Sequence, residues 1–358
     1  MMPVLFRYLA REIYGATALV LVAFLGLFMF FDFINELEDV GKGGYGVAQA
    51  AVYVLLILPG RVYELLPVAV LIGSLYGLTS LARHSEITVM RASGLSTARM
   101  LRMLGLIGSV FVVLTFVMGE YVAPPAESAA QQWKLTATQS AVSQQLRSGL
   151  WVKEGDQVIN VRTMHPDRTL ERARVYTFDE NYALVSLAEA KRGVYDADGR
   201  WRLLEVSRTN FLGERTEVER LDEIEWRSEL TPEVLSVLMV VPERMSVGNL
   251  WAYSEHLREN KQNADRYEIA LWKKLSYPFA ALVMLALALP FSFTHDRMGG
   301  VSVKVFVGVM LGVGFHLLNG LFSSLGVINA WAPPLAALTP SLIFLAAAAV
   351  MLHLVDRR

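Results

Sequence analysis

The chain has 358 residues, of which 54% are hydrophobic and 19% charged, and its mean hydropathy is +0.38. Soluble domains carry about a quarter charged residues, so this composition indicates a membrane protein. The 33 basic and 34 acidic residues nearly cancel, which gives no electrostatic reason to expect a nucleic-acid partner. Because cysteine is absent, disulfides, iron–sulfur clusters, thiolate zinc sites and a cysteine nucleophile are excluded.

Six apolar stretches flank a polar middle. Residues 121–270 hold 43 of the 67 charges. A bilayer-spanning helix needs about 20 mostly apolar residues, and six stretches outside the polar middle are long enough. The predicted spans are residues 13–31, 62–82, 103–119, 275–294, 305–325 and 331–355. Residues 47–58 are predicted to extend the second span at the membrane interface, because Pro59 and Gly60 should kink or end a helix.

Basic residues in the short loops predict the orientation. Ten of them fall on one side of the membrane and one on the other. The ten are Arg7, Arg11, Arg83, Arg91, Arg99, Arg102, Arg297, Lys304, Arg357 and Arg358, and the one is Lys42. By the positive-inside rule both termini are cytoplasmic, so the polar middle is expected in the periplasm of a Gram-negative cell.

The polar middle changes from helical to β periodicity. Pro124 and Pro125 are expected to end the third span, and a polar helical connector follows over residues 127–145. Short β-rich runs with turn residues between them, at about residues 149–230, predict a β-jelly roll or sandwich. Ser246 is expected to cap a return helix that reaches residue 265.

The predicted fold class is a membrane α-helical protein with an inserted all-β domain. Its six transmembrane helices are divided three and three around a periplasmic, β-jelly-roll-like domain. The predicted domains are residues 1–122 with three spans, residues 123–265 in the periplasm, and residues 266–358 with three more spans.

Motifs for catalysis or for a metal are missing from the sequence. Gly41-Lys42-Gly43 lacks the upstream glycine and the Ser/Thr of a nucleotide-binding loop, and the six histidines are scattered without an HExxH motif. His316 lies within the fifth predicted span, where it fits either a hydrogen-bonded structural histidine or a proton relay. We therefore predict no catalytic residue, no metal site and no cofactor bound by this chain.

A short helix is expected in the loop between the second and third spans. Ser85 is a favourable N-cap and Gly94 a favourable C′ residue for it. A helix of two turns is unstable alone, so it must pack on something, and Ile87 with Met90 offers a small apolar face beside Glu86. Physical reasoning leaves two interpretations open, an elbow resting on lipid headgroups and a helix that docks on a partner.

Charges at the ends of spans form a second candidate set. Arg61 and Glu64 lie at the edge of the second span, and Lys273-Lys274 open the fourth. A central charge in lipid costs about 3 kcal/mol on insertion scales, so these side chains should face a cavity or the interface. The two lysines fit either anchors that reach the interface or contacts to the phosphates of an amphiphilic ligand.

Several segments resemble the LptF/LptG permease family of the lipopolysaccharide export system. They are SEITVMRASG at 85–94 followed by Leu95-Ser96, GEYVAP at 119–124, GLWVKEG at 149–155, and Arg266-Tyr267 with Trp272, Lys274 and Pro278. The resemblance covers essentially the whole chain, including its three-plus-three layout. The segments are more similar to the LptG members than to the LptF members.

This resemblance implies a heterodimer with an LptF-like permease, driven by an LptB-like ATPase dimer that uses ATP and Mg. Lipopolysaccharide would pass from the outer leaflet of the inner membrane, through a cavity lined by the first and fifth spans, to an LptC-like single-span protein with a periplasmic β-jelly roll. The chain itself would be a non-catalytic subunit.

The same resemblance implies site residues. Glu86, Ile87, Met90 and Arg91 would sit in a groove of the ATPase. Family members can carry a basic residue near the outer end of the first span, whereas this chain has Asp32 there. Contacts to lipid A phosphates are therefore assigned to three other cations, Arg61, Lys273 and Lys274.

Two other functions remain open from the sequence. One is a different lipid or lipoprotein-release ABC permease, although that class usually places its large domain after the first span. The other is a periplasmic assembly scaffold without transport, for which the short cytoplasmic helix would be dispensable.

Overall fold

The structure, a computed structural model, describes residues 2–138, 149–164, 169–196, 200–213, 215–226, 228, 242–260, 262–293 and 301–356. Six helices in these ranges are long and apolar enough to cross a membrane. They are α1 (Met2–Glu36), α2 (Val47–Arg83), α4 (Thr97–Val117), α7 (Asp265–Phe293), α8 (Val301–Ile328) and α9 (Pro333–Asp356). The shorter helices are α3 (Glu86–Ala92), α5 (Ala123–Thr138) and α6 (Val247–Glu259). A six-stranded sheet lies between the third and fourth long helices, which confirms the predicted fold class.

Helix α2 is continuous from Val47 to Arg83, with Pro59 and Pro67 in its interior. The helix therefore does not end at Pro59, which was one of the two predicted outcomes. One proline removes one backbone donor, and membrane helices tolerate that loss where neighbouring helices surround them. Helix α2 contacts α1, α5, α7 and α8, so it has such neighbours.

Helix α2 and helix α1 approach each other closely at Gly73. A Cβ atom at this position would lie 2.5 Å from the Cα atom of Thr17. Only glycine permits such an approach of two helix backbones, as in the small-residue interfaces of membrane helices. The main apolar core of the bundle lies beside this contact, where buried side chains of α2, α4 and α7 meet, among them Leu75, Leu104 and Met284.

The third span does not end at Pro124-Pro125, so that prediction is wrong. A π-helical turn, Met118–Val122, joins α4 directly to α5. The two prolines occupy the first turn of α5. Proline lacks a backbone N–H, but its absence costs few helical hydrogen bonds at this position, and the fixed φ of proline suits a helix. The predicted connector is thus observed up to Thr138, and residues 139–145 lie outside the described residues.

The six strands pair in sequence order as one antiparallel sheet. They are β1 (Leu150–Glu154), β2 (Gln157–Met164), β3 (Leu170–Phe178), β4 (Leu184–Tyr195), β5 (Trp201–Leu212) and β6 (Arg215–Trp226). Alternate residues of the strands form an apolar interior around the buried Trp201. The indole of Trp226 donates to Gln157 at 3.2 Å, so the sheet curls until β6 meets the start of β2.

Helix α6 returns the chain to the bundle and anchors the sheet. Ser246 caps it as predicted, since its hydroxyl accepts the N–H of Asn249 at 3.1 Å. The helix ends at Glu259, earlier than predicted, because the side chain of Asn260 bonds back to the carbonyl of His256 at 3.0 Å. The amide oxygen of Asn260 also accepts the N–H of Gly155 at 2.8 Å, which fixes the β1–β2 turn to this junction.

Candidate functional site

A cavity of about 380 Å³ opens between α2, α7 and α8, at the end of the bundle where α6 returns. The three cations predicted to bind substrate, Arg61, Lys273 and Lys274, all line it. Their common location follows from the cost of a charge in lipid, which drives ionic side chains at span ends towards protein cavities. His316 also lines this cavity, on the fifth span.

Arg61 is already neutralised within the chain. Its guanidinium donates to both carboxylate oxygens of Asp32, at 2.8 and 2.7 Å, and to Glu64 at 2.9 Å. The two carboxylates come from the C-terminal end of α1 and from the next turn of α2. Arg61 therefore ties two spans together and offers little free positive charge to a ligand.

The two lysines of α7 have different surroundings. Lys274 is buried, its ammonium donates to the carbonyl of Met245, and the nitrogen lies 5.8 Å from the ring centroid of Tyr63. Lys273 is half-buried, and its ammonium forms no hydrogen bond or ion pair with any part of the chain that the structure describes. Of the three predicted cations, Lys273 is thus the one available to an anion.

Two carboxylates beside the cavity hold the segment that returns from the sheet. Glu127, which is buried, forms an ion pair with Arg244. Glu120, in the π-helical turn, accepts the backbone N–H of Val247 at 2.8 Å. We name these contacts the return clasp. Sequence reasoning missed both residues, although the GEYVAP motif at 119–124 contains Glu120.

An ionic cluster connects α5 to the C-terminal end of α1 and the turn that follows it. Lys134 lies 2.7 Å from carboxylate oxygens of both Glu36 and Asp39. The hydroxyl of Tyr45 donates to Glu36 at 2.8 Å, and burial together with this bond raises the pKa of Tyr45 well above its usual value. Glu36 and Asp39 therefore brace the connector helix through Lys134.

Helix α3 forms in the predicted loop, but its N-terminus differs from the prediction. Ser85 has a left-handed backbone, φ +58°, and its side chain makes no capping bond. Only His84 and Ser85 separate the end of α2 at Arg83 from the start of α3 at Glu86, so the turn between the helices falls on these two residues. The C-terminus is as predicted, since Gly94 has φ +92° and Leu95 donates its N–H to Met90 at 3.1 Å.

Helix α3 is anchored by one face and exposed on the other. Ile87 is buried in the bundle core, whereas Val89 is 65% exposed. The Arg91 guanidinium lies 5.0 Å from the ring centroid of Phe293 at the end of α7. Glu86 is half-buried and hydrogen-bonded to Tyr8 of α1, and Met90 is also half-buried.

The surface that α3 offers to a partner therefore differs from the predicted one. Of the two predicted apolar contacts, Ile87 anchors the helix inside the bundle. Thr88 and Val89 are exposed instead, flanked by Glu86 and Arg91, and sequence reasoning had not singled out either of them.

Comparison with known proteins identifies the family of the chain. Residues 7–354 match the family described as "Lipopolysaccharide export system permease LptF/LptG". The chain belongs to the LptF/LptG family. Two relatives share the name "Lipopolysaccharide export system permease protein LptG". The Haemophilus influenzae protein is 29% identical over 347 residues, 96% of this chain and 97% of the relative, and the Escherichia coli K12 protein is 30% identical over 344 residues, 95% of each.

Membership of the LptF/LptG family confirms the resemblance found in the sequence. The family consists of permease subunits of the lipopolysaccharide export system, so this chain is a transporter subunit, which points away from catalysis. Together with six membrane-spanning candidates, the LptG relatives support a multi-pass inner-membrane protein. Membership also implies an LptF/LptG-type permease partnership.

Proposed function

We propose that this chain is the LptG-type subunit that extracts lipopolysaccharide from the outer leaflet of the inner membrane. It passes the lipid to an LptC-like periplasmic bridge for export to the outer membrane. The observation that carries the proposal is similarity to two LptG proteins over 95% or more of the chain. An LptF-like permease completes the transmembrane pathway.

The energy comes from a separate LptB-like ATPase dimer, which binds ATP and Mg, whereas this chain binds no cofactor. A sequence without a nucleotide-binding loop needs an external motor, and α3 offers a docking surface for one. Val89 supplies an exposed apolar contact, with Glu86, Met90 and Arg91 around it. Ile87 acts indirectly. Its side chain is buried in the core of the helix bundle, so the bundle moves together with α3.

The substrate contacts lie at the other end of the bundle. Lipid A phosphates are expected to meet the cations of the cavity, Arg61, Lys273 and Lys274, and Lys273 is the one without an ion pair among the described residues. Six spans place both termini on the same side, and the excess of basic residues at that side favours the cytoplasm. The cavity and the sheet then belong to the periplasmic side.

Affinity purification from the native membrane tests this function. The protein is solubilised in mild detergent, and co-purifying proteins and lipids are identified by mass spectrometry. We expect an ABC ATPase, a second six-span permease and lipid A. The variant Val89→Asp should no longer co-purify with the ATPase but should still co-purify with the second permease. Val89 is exposed, so the fold tolerates a charge at this position.

The alternatives give different results in the same experiment. Lipoproteins in place of lipid A would indicate a lipoprotein-release permease. Recovery of the chain without an ATPase, from membranes in which the ATPase is present, would contradict the transporter proposal and favour a scaffold.

A further inference from the structure

A groove continues outward from the cavity between α7 and α8, with a volume of about 350 Å³. The two spaces share part of their walls, including Lys273, Glu243 and Ser324. Arg266 lines the outer part of the groove. We call this space the outer groove; Lys273 and Glu243 stand where it joins the cavity.

These two residues carry opposite charges that are close but not paired. Glu243 is exposed and Lys273 is half-buried, and neither the carboxylate nor the ammonium forms a hydrogen bond or ion pair within the described ranges. The carboxylate of Glu243 is nevertheless near enough to act on the charge of Lys273. Opposite charges that face one space without contact leave room for a ligand that carries both charges itself.

The polarity of the walls changes with depth. The charged junction lies near the outer end of α7, while Val68 and Phe315 line the cavity towards the middle of the spans. Phe315 is held by Phe344, with ring centroids 5.2 Å apart. A site with a charged mouth, which leads along a membrane helix into a cavity with apolar side chains among its polar ones, matches a lipid with its headgroup outward.

We propose that the outer groove binds the phosphoethanolamine headgroup of a membrane glycerophospholipid. The phosphate contacts the ammonium of Lys273 and the hydroxyl of Ser324, and the ligand's own ammonium donates to Glu243. One acyl chain follows Val68 and Phe315 into the cavity. This inference goes beyond the proposed function, because it requires this end of the bundle to face the outer leaflet but requires neither the ATPase nor lipopolysaccharide.

The two charges also set the selectivity. An anionic headgroup such as phosphatidylglycerol would satisfy Lys273 but would leave Glu243 facing a negative ligand. A choline headgroup carries the positive charge but has no N–H to donate to the carboxylate. We therefore expect phosphatidylethanolamine to bind most tightly, phosphatidylcholine less and phosphatidylglycerol least.

Lipid titration with native mass spectrometry tests the proposal. The purified, delipidated full chain is titrated with the three phospholipids carrying the same acyl chains. A lost charge-assisted contact corresponds to about tenfold in affinity, so phosphatidylethanolamine should be retained about tenfold more than phosphatidylglycerol. Lys273→Gln should reduce that retention about tenfold. Because Lys273 has no pairing partner among the described residues, this variant should keep its fold.

Variants of Glu243 test the contact between its carboxylate and the ammonium of the ligand. Glu243→Gln should abolish the preference for phosphatidylethanolamine, and Glu243→Lys should invert it in favour of phosphatidylglycerol. Lys191→Gln and Glu205→Gln, at an exposed ion pair of the sheet, are matched controls. They should change neither the retention of phosphatidylethanolamine nor its preference over phosphatidylglycerol.

Three results would overturn the proposal. These are equal retention of the ethanolamine and glycerol lipids by the natural chain, an unchanged preference in Glu243→Gln, and displacement of phosphatidylethanolamine by lipid A bearing phosphoethanolamine at lower concentration than by unmodified lipid A. The last result would assign the same headgroup chemistry to the transported lipid instead of a phospholipid. Co-purification of the ATPase with Lys273→Gln tests the proposed function separately.

Discussion

The side chains of Asp32 and Arg61 form a bidentate ion pair that joins the C-terminal end of α1 to α2. Nε of Arg61 lies 2.8 Å from Oδ2 of Asp32, and Nη2 lies 2.7 Å from Oδ1. Both side chains are largely removed from solvent, with 13% exposure for Asp32 and 24% for Arg61. The acid at position 32 therefore neutralises a cation at the edge of the cavity and fixes the position of the first span relative to the second.

Replacing Asp32 by Asn should lower the stability of the purified protein. The substitution keeps the shape of the side chain but removes its charge, so the partly buried guanidinium retains only Glu64 at 2.9 Å. We expect a loss of about 1–3 kcal/mol in the free energy of unfolding, since removing one partner of a buried pair leaves the other uncompensated. Thermal unfolding in detergent, followed by tryptophan fluorescence, measures the effect.

A double-mutant cycle separates this pair from other effects of the substitution. Asp32→Asn combined with Arg61→Gln should destabilise the protein less than the sum of the two single variants, because the unpaired charge is then absent. Glu205→Gln, which breaks the exposed pair with Lys191, should stay within about 0.5 kcal/mol of the natural protein. Strict additivity of the two single variants would refute the pairing.

The close approach of α1 and α2 predicts a large effect at Gly73. In Gly73→Ala the added methyl group would lie 2.5 Å from the Cα atom of Thr17, a backbone atom that cannot rotate away. The helices must separate, which should cost about 1–3 kcal/mol or more. Gly26→Ala in α1 is the matched control, since its Cβ meets no atom within 4 Å and alanine favours the helix. Unfolding midpoints that agree for the two variants would contradict the predicted clash.

Hydropathy and strand periodicity predicted the spans and the inserted β domain because both depend on local sequence. A helix end at Pro59, one of the two predicted outcomes there, and the end predicted at Pro124-Pro125 are both absent for a shared reason. Local propensity at these prolines competes with the packing of α2 against four helices and with the π-helical turn before α5. Neither competing influence is visible in a window of neighbouring residues.

The candidate site was predictable in its location but not in its pairing. Charges at span ends have to face a cavity, and this rule correctly grouped Arg61, Lys273 and Lys274. Which of these cations can bind an anion depends on partners that are distant in sequence. Asp32 pairs with Arg61, and the carbonyl of Met245 accepts a hydrogen bond from Lys274. The sequence also could not predict which face of α3 packs against the bundle, because apolar residues occur on both sides of this two-turn helix.

Helix α3 gives a prediction that separates folding from coupling. Ile87→Ala removes buried methyl groups from the bundle core and should cost about 2–4 kcal/mol of stability. Val89→Ala changes an exposed side chain and should leave the unfolding midpoint unchanged, while it weakens binding of the partner ATPase. Unfolding by fluorescence and ATPase pull-down from the same preparations measure both quantities. The docking assignment fails if Val89→Ala and Val89→Asp both bind the ATPase as the natural chain does.

Loss of either carboxylate of the return clasp should increase local unfolding of the segment that the clasp holds. Glu120→Ala removes the acceptor of the Val247 N–H, and Glu127→Ala leaves Arg244 without its buried partner. Amide hydrogen exchange in peptides covering residues 242–250 should therefore become at least about tenfold faster in either variant, as expected for the loss of roughly 1.4 kcal/mol of local protection. Peptides from 276–289 in the core of α7 should exchange at their natural rate, because they do not touch the clasp.

A charge-conserving change gives the sharpest test of the clasp. Glu127→Asp keeps the charge but shortens the side chain, so it should speed exchange at 242–250 less than Glu127→Ala does. The expected order is the natural chain slowest, Glu127→Asp intermediate and Glu127→Ala fastest. If all three exchange alike, the ion pair with Arg244 does not hold the segment, and the anchoring must come from Lys274 and the Met245 carbonyl, which Lys274→Met would then release.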